Sequence, residues 1–497
     1  MPPSPDPSAK TRWLLWLSLS VLMFTLPFLL VEFPPATDLP QHLAQVRLFF
    51  RALAHADGPL VVQWANPNNL IYFIMGTGWP LFSPVLLGKL TLWLLVAAWI
   101  AGIHLLARRL GRPPEQAMWA SVFVMSHAFY WGFLNFLVGF PVFVLWFLLN
   151  DSDRGPARLK TVGLYVLTTF LLYESHALWL GVAVAWLFLF GVTRRTEGAV
   201  WIRRAAGLIP ITALASFWFP RLAASRAFAG FDVAAHWFTS PLQRLRPDRL
   251  VDGFLGGIRG PWEAAILALL FLWCGLGIVQ HRKELRPHIS RPLLLTAGLF
   301  LAVGLLAPDK YMNTICFASR WLPVAGVFLV LSLPAPTLKP VPARIVALAL
   351  TGCFCLATTA AWKGFNAREL DGLSAALGKV PDKASVLGLD FEKTSAYVKN
   401  RPFLQIFAYA QALKGGEVNF SFAEHASGIV AYRSPQPRSW TPSLEWFAER
   451  ARKSDIAKFD LVLLNGPPDI HQEFAQRNSV SCRTCSGRWR LYAVEKR

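Results

Sequence analysis

The sequence predicts an α-helical polytopic membrane protein of about eleven spans, followed by a small extracytoplasmic α/β domain. Three observations carry that expectation. Apolar runs long enough to cross a bilayer recur as far as Trp362. The chain is 54% hydrophobic and holds 37 Phe and 21 Trp, a composition that suits lipid better than water. Beyond Trp362 the chain turns polar and alternates strand-like and helix-like patterns. The expected division is a membrane domain over 1–362, with outer loops 32–82 and 220–261, and an α/β domain over 363–497.

The expected spans are 13–31, 83–107, 116–132, 134–150, 159–173, 175–192, 203–219, 262–280, 292–308, 318–334 and 343–362. The first has a basic flank at Lys10 and Arg12, as a signal peptide would. No small-residue cleavage site follows it, so a retained helix is expected. Alternate connections are rich in Lys and Arg: Arg108 and Arg109, Arg154 and Arg158, Arg194 and Arg195, Arg282 and Lys283, Lys339 and Arg344. The short turns 127–135 and 173–178 have neither. The positive-inside rule then places the N-terminus and the basic connections in the cytoplasm. With an odd number of spans, the C-terminal domain lies outside a multi-pass inner (plasma) membrane.

The net charge of +20 raises the possibility of a nucleic-acid partner. The excess lies in short loops and scattered through the tail, with no binding motif, so no nucleic acid is expected. In the tail, 384–391 and 459–464 read as buried strands and 490–494 as a last strand. The stretches 402–413 and 443–453 read as helices, and Gly415 as a helix C-cap. Cys482 and Cys485 form a C-x-x-C without a second ligand pair, which outside the cytoplasm points to a local disulfide rather than a metal. No H-E-x-x-H, no phosphate loop and no convincing metal cluster occurs.

The candidates for chemistry fall on the outer side. Thr37-Asp38-Leu39-Pro40-Gln41-His42 puts an acid and a histidine four residues apart beside the first span. With Pro40 in the first turn of a helix, Asp38 and His42 share one face. Leu39, Leu43, Val46 and Phe50 line the other. This predicts an amphipathic helix on the membrane surface with its polar face toward a cavity. The bland alternative for Asp38 is a helix N-cap. Glu174 and His176 sit in the turn Tyr173-Glu174-Ser175-His176, which is otherwise a solvated hairpin tip. Lys310 and Arg320 are the cations of the last outer connection. Arg320 suits a phosphate by its planar fork, or merely snorkels. Tyr72 and His236 complete the binding candidates. His127 and its aromatic neighbours fit an interfacial belt.

This pattern resembles the GT-C superfamily of polyprenyl-phosphate-sugar-dependent glycosyltransferases. The resemblance covers the whole chain in architecture. In residues it rests on the Thr37–His42 stretch, on Phe133-Leu134-Asn135-Phe136 and on Tyr173-Glu174-Ser175-His176. It implies a donor sugar on a polyprenyl phosphate, a lipid or glycan acceptor on the extracytoplasmic face, and inversion at the anomeric carbon. Asp38 takes the place of the family's acid in the first outer loop, as general base, with His42 beside it. Arg320, Lys310 and His176 would hold the leaving phosphate. Many members carry a second acid where His42 stands. The family's divalent metal is the one cofactor the resemblance would bring, and the missing acid counts against it. The competing readings are a non-catalytic transporter of lipid-linked substrates and a membrane-anchored assembly or binding protein.

Overall fold

A computed structural model describes residues 7–152, 159–194, 198–228, 232–337, 339–425, 428–434 and 439–495. Arg154, Arg158 and Arg195 of the basic connections lie outside the described residues. The chain divides into two compact units. One comprises Met1–Leu29, Leu92–Phe129 and Leu134–Thr359, and the other Leu30–Thr91, Tyr130–Phe133 and Ala360–Arg497.

Among the described residues, six helices are long and apolar enough to cross a membrane: Thr11–Leu29, Pro84–Arg109, Leu134–Asp151, Val200–Ala224, Trp262–Gln280 and Val341–Glu369. A seventh arises if Arg282–His288 and Arg291–Leu306, bent by 88°, form one span. Their outward surfaces carry exposed Leu22, Ile209, Phe217, Leu272 and Val279. Water penalises so much apolar surface and hydrocarbon does not, so the chain is a multi-pass membrane protein.

The expected count of eleven spans is not reproduced at that level. The segment 116–132 is not one helix. It breaks into Pro114–Ala120, a 3₁₀ turn at Ser121–Val124 and His127–Tyr130. The amides of Met125 and Phe129 bond three residues back, to Val122 and Ser126, and the α-helical ladder stops there. Its backbone stays inside protein: residues 116–129 are all buried. The span expected over 203–219 is instead part of the helix Gly198–Phe228, which takes in the start of the expected loop 220–261.

Several connections of the first unit meet one another. The Arg112 guanidinium donates to the carbonyls of His288 (2.9 Å) and Ser332 (3.0 Å). Gln116 donates to the carbonyls of Val330 and Leu333. Arg344 lies 3.7 Å from Glu115. Buried helix ends are thus satisfied by side chains rather than left as orphan carbonyls.

The second unit holds a four-stranded sheet in the order Val386–Asp390, Leu461–Asn465, Trp489–Val494, Val480–Thr484. The first pair is parallel and the others antiparallel. The two parallel strands are buried along their whole length, matching their unbroken apolar runs. Leu387, Leu389, Val462, Leu464, Phe459 and Tyr492 form the core of the sheet. Two expected helices shrink. Over 402–413 only Ala408–Lys414 is α-helical, because the amides from Leu404 to Tyr409 mostly bond three residues back, in tighter turns. Over 443–453 Ser443 takes φ +62°, which no helix start tolerates, and only short turns form. Gly415 caps Ala408–Lys414 in the left-handed region (φ +78°). Cys482 and Cys485 are disulfide-bonded.

Residues 32–82 pack within this second unit. Leu60–Val62 pairs antiparallel with Val430–Tyr432, and the helix Leu39–Ala54 packs against Ala408–Lys414.

Candidate functional site

Within the second unit, Asp38 sits immediately before the helix Leu39–Ala54, with Pro40 in its first turn. Its carboxylate does not cap the helix. Backbone contacts fix it instead. The Thr37 amide donates to the Tyr130 carbonyl (2.9 Å) and the Asp38 amide to the Trp131 carbonyl (3.0 Å). Gly132 has φ +75°, and a Cβ there would lie 2.8 Å from the Asp38 nitrogen and 3.1 Å from that of Leu39. The turn 130–133 therefore clamps the start of this helix with no space for a side chain.

The helix departs from the expected amphipathic surface element. Both its faces are buried. Leu39 and Leu43 pack on Gly88. On the polar face, Gln41 donates to Gln405 (2.9 Å) and to the Phe420 carbonyl (3.0 Å), and accepts from the Phe422 amide (3.2 Å). Gln45 accepts from the Val430 amide (3.1 Å). The glutamines serve backbone groups that periodicity alone would have left to water.

His42 is 4% exposed. One ring nitrogen, Nδ1, lies 2.9 Å from the Tyr72 hydroxyl, and the ring also bonds the Gly132 carbonyl. Phe422 packs edge-on against it. Burial pushes its pKa down to about 4, against which the Gly132 bond is a smaller opposing effect. The neutral ring donates to Gly132 and accepts from Tyr72, which assigns its tautomer. His42 and Tyr72 are thereby joined, and both brace the clamp beside Asp38.

The first unit builds a different cluster around the ring of Phe136. The Arg320 guanidinium lies 5.5 Å from the ring centre. His176, Trp179 and Trp321 pack on the same ring at 6.1, 5.2 and 4.9 Å. Arg320 is 3% exposed, so it does not snorkel. Its Nε and Nη2 donate to the carbonyls of Cys316 (3.0 Å) and Ile315 (2.5 Å). His176 accepts the Leu178 amide on Nδ1 (3.2 Å) and so caps the helix Ala177–Arg194 from outside. Glu174, 6% exposed, buries an Oε2 that has no hydrogen-bond partner among the described residues. It is no solvated hairpin tip.

His127, which the sequence placed in an interfacial belt, is a buried imidazole. Gly256 (φ +62°) packs on its Cβ. An aromatic run beside a glycine turn reads as a membrane belt, and only the packing distinguishes the buried imidazole from its neighbours.

Lys310 and His236 stand apart from the Phe136 cluster. They face each other across the two-residue ribbon Ala235–His236 with Lys310–Tyr311. Both engage Asp232, Lys310 at 3.6 Å. The neighbouring Asp309 accepts the amides of Phe238 and Thr239 and pairs with Arg244 at 3.0 Å. Among the described residues, no group of three or more His, Cys, Asp or Glu side chains is arranged to hold a metal.

No family model and no curated protein matches the chain. Solved structures do, among them the crystal structures of ArnT from Cupriavidus metallidurans bound to undecaprenyl phosphate and in the apo state. Both have a TM-score of 0.57 at 12% and 13% identity, aligned over 98% of this chain and 98% of that chain. The fold is that of ArnT. At this identity the likeness is one of fold. The alignment with ArnT runs through both units.

Proposed function

We propose that the chain is a membrane glycosyltransferase that moves a sugar from a polyprenyl-phosphate donor to a lipid or glycan acceptor on the extracytoplasmic face, with inversion. The observation that carries this reading is Asp38: a half-buried carboxylate, held by a backbone clamp and not spent as a helix cap. The fold of ArnT, a protein crystallised with undecaprenyl phosphate, supports the donor class.

In this mechanism the Asp38 carboxylate takes the proton of the acceptor hydroxyl. The hydroxyl oxygen attacks the anomeric carbon, and the carbon–oxygen bond to the polyprenyl phosphate breaks. The leaving group departs as the phosphate, its charge stabilised by a positioned cation. His42 and Tyr72 act as positioning residues for the turn that holds Asp38. Arg320 and His176, with Glu174 two residues before His176, are proposed as phosphate-binding groups within the first unit. Lys310 and His236 are kept as secondary binding candidates, because Asp232 engages both. A divalent metal is not part of this mechanism.

The orientation is proposed with it: N-terminus and basic connections in the cytoplasm, C-terminal sheet outside. The broken segment 114–130 can still count as a span, since irregular backbone at membrane depth is tolerated where protein covers it. That keeps the count at eleven.

Asp38→Asn in purified protein tests the reading. Transfer from a polyprenyl-linked sugar should fall by about 10²–10⁴-fold with folding intact. Unchanged transfer would remove Asp38 as base. The absence of transfer by the native chain across a panel of donors would favour a binding or assembly role.

A further inference from the structure

A cavity of about 720 Å³ in the second unit lies away from Asp38, at the last turns of the helix Leu39–Ala54. Four cations line it, Arg47, Arg51, Lys383 and Lys414, against one carboxylate, Glu417. Its wall includes Trp79, half-buried, lying nearly parallel to Phe50 (19° between planes, centroids 6.3 Å apart).

The backbone here is fixed. The Lys383 amide bonds the Lys414 carbonyl (2.9 Å), and the Val386 amide bonds the Glu417 carbonyl (2.9 Å). A Cβ on Gly416 would lie 1.8 Å from the Ala384 carbonyl oxygen, so the two turns touch. Lys383 takes φ +62°, a conformation that a lysine adopts only where its surroundings impose it. Two of the cations are already engaged. Arg47 donates to the carbonyls of Ala412 and Leu413, and Lys414 lies 3.7 Å from Asp382. Arg51 and Lys383 are exposed and have no ion pair among the described residues.

We propose that this cavity binds an anionic saccharide, its uronate or phosphate group held by Arg51 and Lys383 and its sugar ring packed on Trp79. The cavity falls in the size range of small-ligand sites. Charge-assisted bonds from Arg and Lys select the anion, and the aromatic wall gives the apolar face of a pyranose a surface to cover. A concave site with an aromatic wall fits a saccharide better than a flat sheet of lipid headgroups. The proposal concerns binding alone and stands whether or not the chain transfers a sugar.

The test is equilibrium binding to the full chain in detergent. The probes are a glucuronate-containing tetrasaccharide, glucose 6-phosphate, an uncharged tetrasaccharide and inorganic phosphate. At least one of the two anionic sugars should bind, and tighter than the uncharged one. Arg51→Gln and Lys383→Gln, both at exposed positions, should each weaken it about tenfold. Trp79→Leu should weaken the anionic sugar but leave inorganic phosphate unchanged. Equal binding of charged and uncharged sugars would overturn the proposal, as would no binding of either anionic sugar. So would insensitivity of inorganic phosphate and sugar alike to all three substitutions. Binding only to phosphatidylglycerol vesicles, lost in the Arg51 and Lys383 variants, would replace it with a lipid surface.

Discussion

The helix Leu39–Ala54 in one unit and the Arg320 turn in the other both bury groups that apolar surroundings penalise. They satisfy them in opposite ways. The helix uses neutral partners: Gln41 and Gln45 serve backbone amides and carbonyls, and His42, neutral, sits between Tyr72 and Gly132. The Arg320 turn keeps a full charge. Its guanidinium is held by two carbonyls and an aromatic face. A neutral network tolerates losing one member to a residue of similar shape. A buried charge does not, because its partners are arranged for it alone.

The largest effect should follow from breaking the charged side. Arg320→Leu takes the guanidinium from the carbonyls of Ile315 and Cys316, leaving Cys316 only the residue-320 amide, and removes the cation from Phe136. We expect a loss of about 4 kcal/mol, read from thermal unfolding in detergent. A loss under about 1 kcal/mol would mean that the turn does not depend on the charge.

The neutral side should reveal itself through pH. The folded pKa of His42 lies near 4, below its ordinary 6.5. The unfolded chain therefore binds the extra proton first. The stabilisation from the neutral ring is complete above pH 6.5 and is lost as pH falls toward 4. The whole window is worth about 3 kcal/mol. His42→Gln should flatten unfolding midpoint against pH across that window. An unchanged slope would place the titration elsewhere.

Gly132→Ala probes the clamp itself. The new Cβ meets the Asp38 and Leu39 nitrogens and must adopt a positive φ, for about 2 kcal/mol of destabilisation. Amide exchange at the start of Leu39–Ala54 should rise. Equal protection would mean that the turn 130–133 does not hold the helix.

The smallest effect is expected at Gln45, whose Nε2 is buried with no hydrogen-bond partner among the described residues. Gln45→Met removes that unsatisfied donor along with the acceptor for Val430, and should change stability by less than about 1 kcal/mol. A large loss would show that the neutral network is as brittle as the charged one.

The sequence by itself determined the parts that depend on composition and period. Long apolar helices follow from runs such as 92–103 and 264–279, where no polar residue interrupts the apolar surface. The two parallel strands follow from the apolar stretches 386–389 and 461–464, and the Gly415 cap from the left-handed region that glycine enters freely. It also marked the Asp38 stretch and the residues His176 and Arg320.

Only the tertiary structure decided what those residues touch. Local pattern cannot see a partner more than three hundred positions away, as Gln405 is from Gln41. It therefore read a helix buried on both faces as one lying on a membrane. It could not foresee that Gly132 would press against the Asp38 backbone, or that Phe136 would gather Arg320 and His176 around one ring. Nor could it separate His127 from the aromatic belt around it. Burial and partner choice are set by which distant segments pack together, and the pairing of distant segments leaves no period in the chain.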